Sequence, residues 1–256
     1  MSNGPSFPSG MTSTPQGQYG VDAPYVLYAL GGGAIAAALV VTIALVAFRS
    51  PLPDMAIMAF LLALSAASYL WTTRRGKFAV WAELLDALAM RGDERLLDVG
   101  CGRGAVLLLA AKRLPQGRAV GVDLWSAKDQ SGNGERAALR NAMLEGVQER
   151  IELQTTDMRK LPFPDRSFDV ITSSLAIHNI GSAAGREQAL AEILRVLKPG
   201  GTALIADIGH AAAYKRYFAA QPDTTVERRG LGWRFWYGGP HVSTALLTVR
   251  RSAAAV

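Results

Sequence analysis

Cysteine is all but missing from this chain: Cys101 is the only one in 256 residues. That excludes an intrachain disulfide and any metal centre built on several thiolates, so no metal is expected. A reducing compartment is compatible with such a sequence. Charge is missing from the front end, where Met1 to Thr72 holds one basic residue, Arg49, and two acids, Asp22 and Asp54. The remaining 184 residues hold 26 of the 27 Lys and Arg and 19 of the 21 acids, a net charge of +7. Long basic runs are absent as well. The pairs Arg74-Arg75, Arg228-Arg229 and Arg250-Arg251 are scattered, which speaks for a surface beside anionic lipid rather than for a nucleic-acid partner. No internal repeat is visible.

Residues 1–24 are rich in Gly, Pro, Ser, Thr and Gln and carry no Lys or Arg. Such a composition buries little, and a disordered tail is expected there. Two uncharged apolar runs follow, Tyr25–Phe48 and Met55–Trp71. A hydrocarbon core of ~30 Å needs about 20 helical residues, with about 17 to 25 acceptable. The first run qualifies comfortably and the second at the limit. Two prolines in Arg49-Ser-Pro-Leu-Pro-Asp54 break the helix between them, which predicts a transmembrane hairpin over 25–72. The competing reading is a pair of buried helices in a soluble domain. A cleaved signal peptide does not fit the missing basic lead-in and the length of the first run. Arg74, Arg75 and Lys77 flank the second run, against Arg49 alone in the turn. The positive-inside bias therefore predicts a two-span membrane protein with its tail and its large domain, 73–256, in the cytoplasm. Tyr25, Tyr28, Tyr69 and Trp71 sit where aromatic rings favour the lipid–water boundary.

Beyond the hairpin the texture alternates. An amphipathic helix is expected over 78–90. Strands are expected at 95–99, 119–123, 151–155, 169–173 and 202–207, with helices at 105–114, 135–145, 183–197 and 211–220 among them. Two last strands, 225–229 and 244–250, have no helix between them. The pattern is that of an α/β fold, a doubly wound and mostly parallel sheet with an antiparallel pair at one edge.

The richest stretch for chemistry is Leu96-Leu97-Asp98-Val99-Gly100-Cys101-Gly102-Arg103-Gly104, a strand running through a glycine turn into a helix. A dinucleotide fingerprint wants G-x-G-x-x-G and a helix N-terminus free to meet phosphate. Here the spacing is G-x-G-x-G with an acid two residues upstream. A carboxylate in that place repels phosphate and suits an ammonium group. Asp123 closes the second strand, where a carboxylate accepts ribose hydroxyls, and Asp157 follows the third, placed for an adenine amino group. Taken with Leu161-Pro-Phe-Pro-Asp-Arg-Ser-Phe-Asp169-Val and Leu197-Lys-Pro-Gly-Gly201, these motifs resemble the class I S-adenosylmethionine-dependent methyltransferases, more narrowly the type 11 branch that includes quinone-methylating enzymes.

The resemblance covers roughly residues 78 to 250. It implies a Rossmann-like seven-stranded sheet, S-adenosyl-L-methionine as cofactor and a small-molecule methyl acceptor. It further implies that Gly100, Cys101, Gly102 and Gly104 line the methionyl part, that Asp98 faces the amino group and Asp123 the ribose, and that Leu124, Trp125, Asp157 and Met158 surround the adenine. Ser173 and Ser174 end the fourth strand on the substrate side and leave space near the sulfonium, with Ser174 among the cofactor-binding residues. His178 follows as a candidate general base, with wall-shaping as its other reading. A polar loop, 126–134, is a lid, a substrate-contact loop or a surface excursion. The aromatic segment 231–241 roofs a substrate, meets the membrane interface or packs on the domain. No Asn-Pro-Pro-Tyr-like sequence appears, which speaks against amino-methylation of nucleic acids. A lipophilic acceptor that partitions into the membrane fits the anchor. S-methylation of small thiols, a non-catalytic cofactor-binding membrane module and a nicotinamide-dependent oxidoreductase are the alternatives.

Overall fold

The computed structural model describes residues 15–253. The predicted tail lies partly outside that range; the part inside it, 15–22, is laid along the folded domain, with Tyr19 buried against Phe78. Its short polar side chains and backbone amides find fixed partners on the domain, and composition alone does not register such docking.

Helix α1 (Pro24–Phe48) begins at a proline, whose missing amide is harmless in a first turn. Helix α2 (Pro53–Trp71) starts the same way, and the two helices pack against each other. Their remaining surface is apolar and exposed, as at Ile35, Leu39, Phe48, Phe60 and Leu64. A π-turn, Thr72–Gly76, carries α2 without a break into α3 (Lys77–Asp86). Gly76 is needed in that turn because a Cβ there would run into the Arg234 carbonyl. Helix α3 buries Trp81 and Leu85 and ends at Asp86, four residues earlier than periodicity predicts, because Ala89 turns the chain with a φ of 48°.

The domain is built on β1 (Arg95–Val99), β2 (Arg118–Asp123), β3 (Ile151–Thr155), β4 (Phe168–Ser174), β5 (Leu197–Asp207), β6 (Thr224–Gly230) and β7 (Ala245–Arg251). Their order across the sheet is β3-β2-β1-β4-β5-β7-β6. The first five are parallel, and β7 runs antiparallel to both β5 and β6. This is the mixed seven-stranded sheet and antiparallel edge that the alternating pattern predicts. Helices α4 (Ala105–Ala111), α5 (Glu135–Leu144), α6 (Ala183–Val196) and α7 (Ala211–Ala219) complete the layers. Strand β5 starts five residues earlier than expected, because Leu197 already pairs with Phe168 before an irregularity in the ladder. The strand order reverses between β1 and β4. Crevices form at such a switch point, beyond the carboxyl ends of the strands.

Candidate cofactor and acceptor site

A cavity of about 450 Å³ opens at that switch point. Asp98 reaches it from the end of β1, buried, and accepts a hydrogen bond from Thr172 Oγ1 at 2.8 Å. Burial pushes its carboxyl up to about 7, against the pull of the Thr172 hydroxyl. A buried carboxylate with no cation beside it is strained toward neutrality, and an incoming ammonium group relieves that strain. Gly100 and Gly102 both take left-handed backbone, with φ of 76° and 51°. A side chain on Gly100 would collide with Ala176, and one on Gly102 with the Gln130 amide. The glycine turn therefore brings bare main chain to the cavity wall.

Asp123 fixes that turn. Its Oδ2 accepts from the Gly102 amide at 2.8 Å and its Oδ1 from the Trp125 amide at 2.5 Å. Burial raises its carboxyl, and these two amides oppose the shift. Asn133 Nδ2 also donates to Oδ1, at 3.5 Å, so Oδ2 is the oxygen that keeps a lone pair for a ligand hydroxyl. Leu124 lines the cavity with an exposed apolar side chain, and Met158 lines it as well. Asp157 is on the same wall but is gripped by Arg159 through paired contacts of 2.9 and 3.0 Å to Nε. That hydrogen bonding holds its carboxyl below the usual range. Ser174 faces the cavity and accepts from Trp81 Nε1 at 2.9 Å. Cys101 is also on the wall, and burial pushes its thiol well up, so it stays protonated.

Three sequence candidates lie elsewhere. Gly104 is the left-handed cap of α4 and does not line the cavity. Trp125 packs against the core, and its indole N–H donates to Thr155 Oγ1 at 2.7 Å. His178 is likewise not among the lining residues. Its Nδ1 sits 2.5 Å from Asp207 Oδ1, and its backbone amide donates to Asp207 Oδ2 at 3.0 Å. Burial alone would lower the imidazole; the Asp207 carboxylate outweighs it and raises it. The placement makes His178 a brace for the turn after β4.

Other wall residues are not named by the sequence motifs. Asp22, Lys77, Asp129, Gln130 and Asn133 all line the cavity. Lys77, by sequence a cation flanking the second apolar run, is buried and binds both oxygens of Asp22, at 2.9 and 2.8 Å. Only Arg74 and Arg75 of that cluster are exposed. Thr73 and Tyr237 hydroxyls donate to the same carboxylate, each at 2.8 Å. Burial would raise the Asp22 carboxyl, but Lys77 and these hydroxyls hold it below the usual range. Tyr69, expected at a lipid boundary, is buried, and its hydroxyl donates to the Asp22 carbonyl at 2.7 Å. An acid ahead of the first apolar run, in a front end almost without charge, was the available clue. The polar loop 126–134 proves to be a wall, with Asn133 near Asp123 and Gln130 near Asp22. In the aromatic segment, Phe235 and Tyr237 pack on the domain, while Trp233 stays exposed and stacks on Trp71 with ring centroids 5.0 Å apart.

Comparison with known proteins agrees with this geometry. Residues 97–205 match the family described as Methyltransferase domain. The ubiquinone/menaquinone biosynthesis C-methyltransferase UbiE of Dinoroseobacter shibae is 37% identical over 131 residues, 51% of this chain and 49% of that protein. The demethylmenaquinone methyltransferase of Symbiobacterium thermophilum is 36% identical over 128 residues, 49% of this chain and 47% of that protein. The chain thus spans about half the length of the curated relatives it matches. Among solved structures, the cyclase SpnF superposes with a TM-score of 0.55 at 20% identity, covering 68% of this chain and 82% of its own. A geranyl diphosphate methyltransferase in complex with SAM gives 0.51 at 18%, covering 66% and 84%. These likenesses show the fold. Residues 97–205 are thus similar to a methyltransferase domain.

Proposed function

We propose that the whole chain is an S-adenosylmethionine-dependent methyltransferase acting on a small lipophilic acceptor delivered by a membrane, with the hairpin 25–72 as its anchor. The observation that carries the chemistry is Asp98. A buried carboxylate with a single hydroxyl donor, raised to about 7 and facing a cavity, fits a ligand that brings its own ammonium group. Asp123 receives the ribose hydroxyls, Leu124 and Met158 flank the adenine, and the bare peptides of Gly100 and Gly102 meet the methionyl chain. When bound, the cofactor supplies a methyl group already activated on a sulfonium. The protein's own work is then to align the acceptor and exclude water. Ser174, Leu175 and Ala176 at the end of β4 form the wall where the acceptor is aligned. Since His178 is bound to Asp207, its role in this reading is to hold that wall.

Support for the membrane half comes from α1 and α2, which are long and apolar, and whose described faces are mostly exposed. Both hairpin ends meet at the domain, where Asp22 joins Thr73 and Lys77. Arg74 and Arg75 lie at that end and Arg49 at the tip, which favours a cytoplasmic domain. The names of two relatives place them in quinone biosynthesis, so a quinone-type ring is the acceptor class this reading favours. The test is direct. S-adenosylhomocysteine should raise the thermal midpoint of the full-length protein and dinucleotides should not. Methyl-labelled cofactor added with a membrane extract should label a lipid-extractable small molecule. Binding without any labelled product would favour a non-catalytic module.

A further inference from the structure

The segment 15–23 lies outside the span 97–205 that matches the family, yet its Asp22 lines the cavity. It is fastened along its whole length. The Gln16 and Gly17 amides both donate to Glu145 Oε1 at 2.8 Å. Gln18 and Asn141 exchange two hydrogen bonds, of 2.8 and 3.1 Å. The Val21 amide donates to Ser131 Oγ at 2.8 Å, and the Ser131 amide returns to the Val21 carbonyl at 3.0 Å. Gly20 has no room for a Cβ, which would meet the Ser131 carbonyl.

These fastenings converge on the glycine turn. Gln130 is the link: its Nε2 donates to Asp22 Oδ1 at 3.1 Å, and its Oε1 accepts from the Arg103 amide at 2.9 Å. Asn141 makes a second link, donating to both the Gln18 and the Arg103 carbonyls. One residue after Asp22, the Ala23 amide donates to the Asp129 carbonyl, and α1 begins.

We propose that residues 15–23 are a strap that completes the cofactor cavity, with Asp22 as a positioning residue acting through Gln130 on the Gly102–Arg103 peptide. The proposal rests on the cofactor reading above. Asp22 does not touch the reacting atoms; it fixes the wall against which the methionyl end of the cofactor lies. The cavity is therefore complete only when the strap is docked, and the strap leads directly into α1. Thermodynamic linkage makes the coupling reciprocal, so a bound ligand must also hold the strap down.

The experiment uses the full-length chain in detergent with S-adenosylhomocysteine as probe, reading affinity by calorimetry and strap docking by hydrogen exchange at amides 16–22. In the wild type the probe should slow exchange at those amides. Gln130→Ala removes the link and leaves both charges in place. It should bind the probe about tenfold more weakly, within the usual range of coupling between sites, and its strap amides should no longer respond to the probe. Asp22→Asn alone would leave Lys77 buried without its partner. The double variant Asp22→Asn/Lys77→Met removes both charges, should fold, and should show the same loss. A strap that merely stabilises the fold would change the thermal midpoint and leave affinity untouched. Wild-type affinity in both variants, or probe binding without slowed exchange at 16–22, overturns the proposal. Absence of probe binding by the wild type overturns the methyltransferase reading and this proposal with it, a result distinct from binding that ignores the strap.

Discussion

Asp98 concentrates the conflict between stability and function in one side chain. Its carboxyl is raised from 3.8 to about 7 by burial. The folded chain therefore keeps a proton that the unfolded chain has released between about pH 4 and pH 7. The ligand-free protein loses stability as pH rises through that window, by roughly 1.4 kcal/mol per pH unit, and the loss is complete above about pH 7. Asp98→Asn removes the burden. At pH 8 this variant should unfold a few degrees higher without ligand, while its affinity for S-adenosylhomocysteine falls about a hundredfold, as expected for loss of a buried charge partner. Calorimetry and a thermal melt read both effects, and parallel losses in the two would remove Asp98 from the ligand site. The same titration sets the pH profile of binding. Affinity should be flat above about pH 7 and fall about tenfold per pH unit below it, as protonation competes with the ligand's ammonium group. Gly102→Ala tests the backbone separately. Its Cβ would lie 2.7 Å from Gln130 Oε1 at a φ of 51°, so weaker probe binding is expected together with about 1–2 kcal/mol of lost stability.

Among the elements, the hairpin behaves differently from the helices of the domain. Helices α3 to α7 each bury a face, whereas Ile35, near the middle of α1, is 73% exposed. Ile35→Arg should leave the domain's thermal midpoint unchanged but oppose insertion by about 2.5–3.5 kcal/mol. The expected readout is a protein that carbonate washes from membranes while the wild type stays. Equal retention of both would place α1 outside the bilayer. Most of the elements were legible in the sequence: β1 and β2 are short apolar runs closing on Gly100 and Asp123, and α5 and α7 set an apolar stripe along a polar helix. Asp98 and the glycines share one loop, and Asp123 closes the strand paired beside it, so their nearness was legible. Asp22, Lys77 and Gln130 were not, since they meet across 55 and 108 residues of chain and local pattern carries no trace of such encounters. Trp125 and His178 misled for a related reason. Their neighbours in sequence line the cavity, but the partners that claim them, Thr155 and Asp207, lie on other strands.

At the scale of the whole molecule, the hairpin and the domain meet at the Asp22 cluster, and the proposed anchoring therefore predicts a definite sidedness. Helix α1 leaves the strap and α2 returns to the same place, so the tip at Arg49–Leu52 is the part farthest along the chain from the domain at both ends. With Arg74 and Arg75 exposed at the domain end, the positive-inside bias points that end to the cytoplasm. The chain carries a ready means of checking it. Its single cysteine, Cys101, is buried, so a membrane-impermeant maleimide should leave the native protein unlabelled. Ser50→Cys places a thiol at the exposed hairpin tip, and Ser252→Cys places one at an exposed position after β7. In intact cells the reagent should label the Ser50→Cys protein, and the Ser252→Cys protein only after the membrane is opened. The reverse pattern would put the domain outside. Labelling of both positions in sealed vesicles of either orientation would mean that the hairpin lies on the surface instead of crossing.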